Sequence, residues 1–135
     1  MQTEDKRFYR FLAEFGKDIY TEAFEHVFLK AKGLFENDFE LFKIFWNYEE
    51  KNIPVFSFKS AVSWLKDNYR PEGNYKGGVY CIPRNQKGII ELHIFFLQDG
   101  KPVLNGSVPH LVVNTQEIAD DLKKMLDNKN LLIIQ

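Results

Sequence analysis

The stretch Gly88 to Pro102, GIIELHIFFLQDGKP, decides how the second half of the chain folds. Asp99-Gly100 after an apolar run signals a two-residue type I′ hairpin, because both central positions of that turn need positive φ. Ile89 to Leu97 is therefore read as a strand, and the chain turns back from Lys101. With Asp99 and Gly100 as the turn, Leu97 faces Pro102, Phe95 faces Leu104, His93 faces Gly106 and Glu91 faces Val108. Alternation then puts Glu91, His93, Phe95 and Leu97 on one face and Ile90, Leu92, Ile94 and Phe96 on the other. The second set is the side for a helix layer. The first set is too apolar for plain solvent exposure, so something covers it. Glu91 and His93 are neighbours about 7 Å apart on that face. His110 shares it, but lies roughly 13 Å along the strand from the position opposite His93 at ~3.3 Å per residue. This register gives no histidine dyad.

Working outward, Val103 to Val113 reads as the return strand, broken or bulged at Asn105-Gly106. Gly78 to Ile82 reads as the strand before the run, and Pro71 to Gly78, PEGNYKGG, as a loop. Asn114 to Glu117 has the pattern of a capping box opening a helix with Ile118, Leu122, Met125 and Leu126. Leu131 to Ile134 reads as a short final strand. The first half carries helical spacing instead. Phe8, Phe11, Leu12 and Phe15 form one stripe; Tyr20, Phe24, Val27 and Phe28 a second; Leu41, Phe42, Phe45 and Trp46 a third. Ser57 or Ser60 opens a fourth helix through Ala61, Trp64 and Leu65, stopping near Tyr69 because Pro71 follows Arg70. Ile53 to Phe56 is a short strand or a connector. The expected fold class is α+β in one domain, residues 1–135: about four N-terminal helices, then a mainly antiparallel sheet of three to five strands from about residue 75, with a C-terminal helix and a short final strand.

The chain has 135 residues, enough to bury a core without a disulfide or a metal. Its net charge of −1 argues against a dedicated nucleic-acid binder, which carries a basic face. The charge is uneven: residues 1–50 hold eleven acids and seven bases, the remainder eight acids and eleven bases. The one cysteine, Cys81, forms no intramolecular disulfide and suits a reducing compartment. The opening MQTEDKRFYR lacks the apolar core of a secretory signal, and no apolar run approaches the ~20 residues that span a bilayer. A cytoplasmic location is expected.

Motifs for chemistry are sparse. No His or Cys lies three or four positions from His26, and no cofactor or metal is expected. No GxSxG, GxxxxGK[ST] or GxGxxG occurs. Cys81 sits inside a strand as a buried, inert thiol, although His93 on the next strand is near enough in the fold to be weighed as its partner. Glu49-Glu50 and Asp120-Asp121 are adjacent in sequence, so on a helix they diverge by about 100° and read as solvated faces.

Three functional readings follow. The first is a non-enzymatic protein-binding module, an immunity or inhibitor protein that neutralises an intracellular bacterial toxin or effector by direct binding. The chain resembles immunity proteins in kind: small, cytosolic and motif-poor. Glu91, His93 and Phe95 would face the partner, and Glu22, Glu25, Glu36, Asp38 and Glu40 would steer a basic toxin domain. The second is a small-molecule-binding protein or enzyme with a pocket between sheet and helices. In size and in helices preceding a curved sheet the chain resembles nuclear-transport-factor-like cone folds, although residues 115–134 fit that pattern poorly. That resemblance implies His93 and Glu91 as the acid–base pair. The third is a homodimer through the same face or through Leu131 to Ile134.

Overall fold

The computed structural model describes residues 10, 11, 13–15, 48–83, 86–103 and 108–134. The chain is α+β, built on a mixed sheet. Its strands are β1 (Tyr48–Phe56), β2 (Lys76–Ile82), β3 (Ile90–Gln98), β4 (Lys101–Pro102), β5 (His110–Ile118) and β6 (Leu131–Ile134). Their order is β1-β5-β3-β2-β6, with the short β4 also on β3. β1 runs parallel to β5, and the other pairings are antiparallel. Helices α1 (Phe58–Asn68) and α2 (Asp120–Leu126) lie on one face. Residues 10, 11 and 13–15 are helical and meet the other. The remaining N-terminal helices expected from the stripes fall outside the described residues.

Strand β3 occupies the centre, and its sequence explains why. From Ile90 to Leu97 every residue is buried, as a nearly continuous apolar strand needs when both sheet faces are covered. Ile90, Leu92, Ile94 and Phe96 join Val79, Cys81, Leu111 and Val113 under Ala61, Trp64 and Leu65 of α1 and Leu122 and Leu126 of α2. That is the helix-covered side expected from alternation. The hairpin forms as its turn residues dictate, with φ of 56° at Asp99 and 77° at Gly100.

Helix α1 starts at Ser57, whose Oγ accepts from the Ser60 N–H at 3.1 Å. A second acceptor comes from α2. Asp121 Oδ1 and Oδ2 accept from the N–H groups of Phe58 and Lys59 at 3.1 and 3.2 Å. The carboxyl of Asp121 is held below its ordinary value, chiefly by the Phe58 N–H and further by those of Lys59 and Leu122. α1 ends at Asn68, followed by extended Tyr69, as the approach of Pro71 requires.

Two expectations give way. Residues 48–52 join 53–56 in a nine-residue edge strand, where Pro54 is tolerated because an edge leaves N–H groups unused by the ladder. The capping box at Asn114 to Glu117 does not cap; β5 runs on to Ile118 and α2 begins at Asp120. Parallel pairing with β1 overrides the local signal there: Asn114 Nδ2 donates to Glu50 and to Asn52 at 2.6 and 3.2 Å, and Thr115 Oγ1 donates to the Pro54 carbonyl at 3.0 Å.

Candidate functional site

The face holding Glu91, His93 and Phe95 is where the register matters most. β4 keeps the hairpin pairing, Leu97 opposite Pro102. Then the return strand breaks, and β5 rejoins β3 with Ile94 opposite Leu111, six residues beyond the Asn105 that an unbroken hairpin would place there. A six-residue shift is even, so every side chain keeps its expected face. It does, however, carry His110 back along the sheet. His93 now faces Val112, and His110 lies diagonally across from it. The two histidines that an unbroken register kept apart are hydrogen-bonded, Nδ1 of His93 to Nε2 of His110 at 2.8 Å. Pro109 stands just before β5; the sequence reading puts the break at Asn105-Gly106.

The pair belongs to a longer chain of polar groups. Nε2 of His93 meets Oε2 of Glu91 at 2.7 Å, spanning two residues along one face of β3. The other oxygen of Glu91 is ion-paired with the Arg10 guanidinium. The carboxylate accepts from both sides, so His93 carries its proton on Nε2. Between Nδ1 of His93 and Nε2 of His110 one nitrogen donates and the other accepts, according to the tautomer each ring holds.

Aromatic rings seal this chain. The ring of Phe11 stacks on His93, centroids 4.4 Å apart and planes at 20°, and meets His110 edge-on at 5.2 Å. Phe95 stacks on His110 at 5.8 Å, and Phe15 leans on Phe95 and on Tyr80. The Tyr80 hydroxyl donates to the Glu14 carbonyl at 2.6 Å, tying the helical residues to β2. His93 is 0% exposed, His110 1% and Glu91 6%. Burial and the neighbouring His93 hold His110 well below the ordinary histidine value, so it is neutral near pH 7. The unfolded chain takes up that proton near pH 6.5. The folded state binds fewer protons, so this contribution is complete above pH 6.5 and declines as pH falls towards the folded value.

Comparison with family models, with curated proteins and with solved structures finds no match. The geometry alone therefore carries the reading.

Glu91, His93 and Phe95 are brought together as expected from their spacing, but they face inward under residues of the same chain, and so present nothing to a partner in this arrangement. Glu22, Glu25, Glu36, Asp38 and Glu40 fall outside the described residues, as does His26. The residues that sequence reasoning missed are Arg10 and Tyr80, and His110 as a partner of His93. The Phe11/Phe15 spacing was legible as a helical stripe, yet nothing in it told which sheet face it would cover. Cys81 lies on the opposite face, among the α1 and α2 contacts, and burial pushes its thiol up to about 11. It is a packed side chain there, on the other side of the sheet from His93. Among the described residues no cluster of three or more His, Cys, Asp or Glu is placed to hold a metal ion, and no described helix is long and apolar enough to cross a membrane.

Proposed function

We propose that this chain is a non-enzymatic protein-binding module, an inhibitor or immunity protein that neutralises an intracellular bacterial toxin or effector by direct contact. The acid–base alternative needs His93 and Glu91 at an open pocket, and a sealed pair disfavours it. The observation that carries the binding reading is the outer edge of β6. Cys81 N–H donates to the Asn130 carbonyl at 2.7 Å, and β6 pairs antiparallel with β2. In such a ladder alternate residues turn their backbone groups towards the neighbour. Asn130, Leu132 and Ile134 therefore face β2, and Leu131 and Ile133 direct N–H and C=O outward. No described strand takes up that edge. Its side chains, LLII, include none of the charges by which edge strands discourage pairing.

Beside this edge lies an apolar groove of about 340 Å³, floored by Phe96, walled by Tyr69 and Tyr75, and rimmed by Lys66 and Ile134. Tyr69 and Ile133 are 42% and 41% exposed. An extended partner segment adding to β6 would find backbone bonds at the edge and an aromatic seat for one side chain. The test is whether a toxin or effector gene adjoins this one, followed by co-expression of its toxic domain with this chain. Rescue of growth and co-purification are expected. Ile133→Pro removes an outward N–H and no inner ladder bond, so it should weaken that complex at least tenfold while leaving the fold intact. Unrelieved toxicity contradicts the function, and unchanged binding by the variant contradicts the surface.

A second reading has its own observation. Leu131 and Ile133 are symmetric about Leu132, so two copies of β6 satisfy each other's outward groups about a two-fold axis. Light scattering at two concentrations separates that dimer from a monomer.

A further inference from the structure

We propose that Arg10, Glu91, His93 and His110 form an acid-opened latch, which holds the N-terminal helical residues on the sheet at neutral pH and releases them when a second proton enters the histidine pair. The proton count follows from the contacts. Glu91 faces Nε2 of His93 at 2.7 Å, and Nδ1 of His93 faces Nε2 of His110 at 2.8 Å. With no added proton, His93 donates to Glu91 and accepts from His110. With one, His93 becomes an imidazolium, donates at both nitrogens, and His110 accepts while its own proton sits on Nδ1. Both states satisfy the Glu91–His93 and His93–His110 contacts. With two, an N–H faces an N–H across 2.8 Å between like charges, and the pair must part.

The direction of escape is set by packing. Both histidines are held on paired strands, His93 in the middle of β3 opposite Tyr80 and Val112, His110 at the start of β5 opposite Tyr48. Their rings press on Phe11, which belongs to the helical residues above. Moving those residues breaks the Arg10–Glu91 pair, the Phe11 stacking and the Tyr80–Glu14 bond. The core under α1 and α2 lies on the far side of the sheet and keeps its contacts. From the described elements, the charged and titratable groups on this side are Arg10 and Glu14 on the helical residues, Lys76 and Tyr80 on β2, Glu91 on β3, and Tyr48 and Glu50 on β1, Glu50 through Asn114 of β5. Glu91 is in direct contact with His93, and it favours the first proton. The like charge of that first proton then opposes the second.

The test is amide exchange by NMR from pH 7.5 to 5, corrected for the intrinsic exchange rate at each pH. Opening of residues 10, 11 and 13–15 should rise below about pH 6.5, approaching tenfold per pH unit for one linked proton, while amides of α1 stay protected. His110→Gln keeps an N–H donor for His93 and cannot take up the proton, so its protection should be flat with pH. A flat wild-type profile overturns the proposal, as does equal loss at α1, which means global unfolding. An unchanged slope in His110→Gln overturns it too. If that variant does not fold, the wild-type contrast between the helical residues and α1 decides alone.

Discussion

Replacing Phe11 by alanine asks whether the helical residues are part of the folded core or rest loosely on it. Phe11 is 0% exposed and its ring meets five others: Phe15 at 5.9 Å, Tyr80 at 6.1 Å, His93 at 4.4 Å, Phe95 at 5.0 Å and His110 at 5.2 Å. Truncating a fully buried phenylalanine costs about 3–5 kcal/mol, the lost transfer free energy plus the cavity left behind. The upper half of that range is expected here, because four of the five neighbours stand on the sheet or on its polar pair and have little freedom to fill the space. For a chain of this length about 1 kcal/mol moves Tm by roughly 3–4 °C, so Tm should fall by roughly 12–20 °C. Urea unfolding followed by far-ultraviolet circular dichroism measures the loss, with Ala13→Ser as the control, since Ala13 is exposed and its change should stay within about 0.5 kcal/mol. A loss below about 1 kcal/mol for Phe11→Ala would refute the claim that these residues seal the sheet.

Three further outcomes follow from other parts of the fold. Cys81, with its thiol pushed up to about 11, should resist a thiol reagent at pH 8 in the native protein and react fully in denaturant; rapid native labelling would show its strand to be open. Asp121→Asn should lower Tm at pH 7 and flatten the acid limb of the stability curve, because the depressed carboxyl of Asp121 stabilises the fold above its ordinary value and stops doing so as pH falls through the folded value; thermal scans at pH 3 and pH 7 check this, and identical wild-type and variant curves would count against the cap. Gly78→Ala should destabilise by about 1–3 kcal/mol, since a Cβ there would lie 2.7 Å from Leu97 and 2.9 Å from Phe95; a neutral change in urea unfolding would mean these side chains repack freely.

What the sequence made legible was local. Ser57, the Pro71 stop, the Asp99-Gly100 turn and the apolar Leu131 to Ile134 run each carry their own signal, and each lies where that signal put it. β1 was less legible because an edge strand with one neighbour can keep Glu49, Glu50 and Lys51 exposed and so lacks an apolar pattern. Asn114 to Glu117 misled because pairing with β1 outweighs a cap of about 1 kcal/mol. The site divides the same way. Glu91 and His93 are two apart on one strand, so alternation alone joins them. His110 depends on how many residues loop out between β4 and β5, and no local rule counts them. The helical cover depends on which face Phe11 and Phe15 choose, and both faces of β3 are apolar enough to accept them.

The central claim is that the Glu91–His93–His110 chain is a buried polar interior in which His110 stays neutral near pH 7, and His110 reports on it most directly. Following the histidine Cε1–H resonances by two-dimensional NMR from pH 8 to pH 5 gives its titration in the folded protein, with His110→Gln to assign the signal. The account predicts that the His110 resonance does not reach its imidazolium position through a step near pH 6.5 and does so only as the latch opens at lower pH. A simple titration centred near 6.5, like that of a solvated histidine, would contradict it.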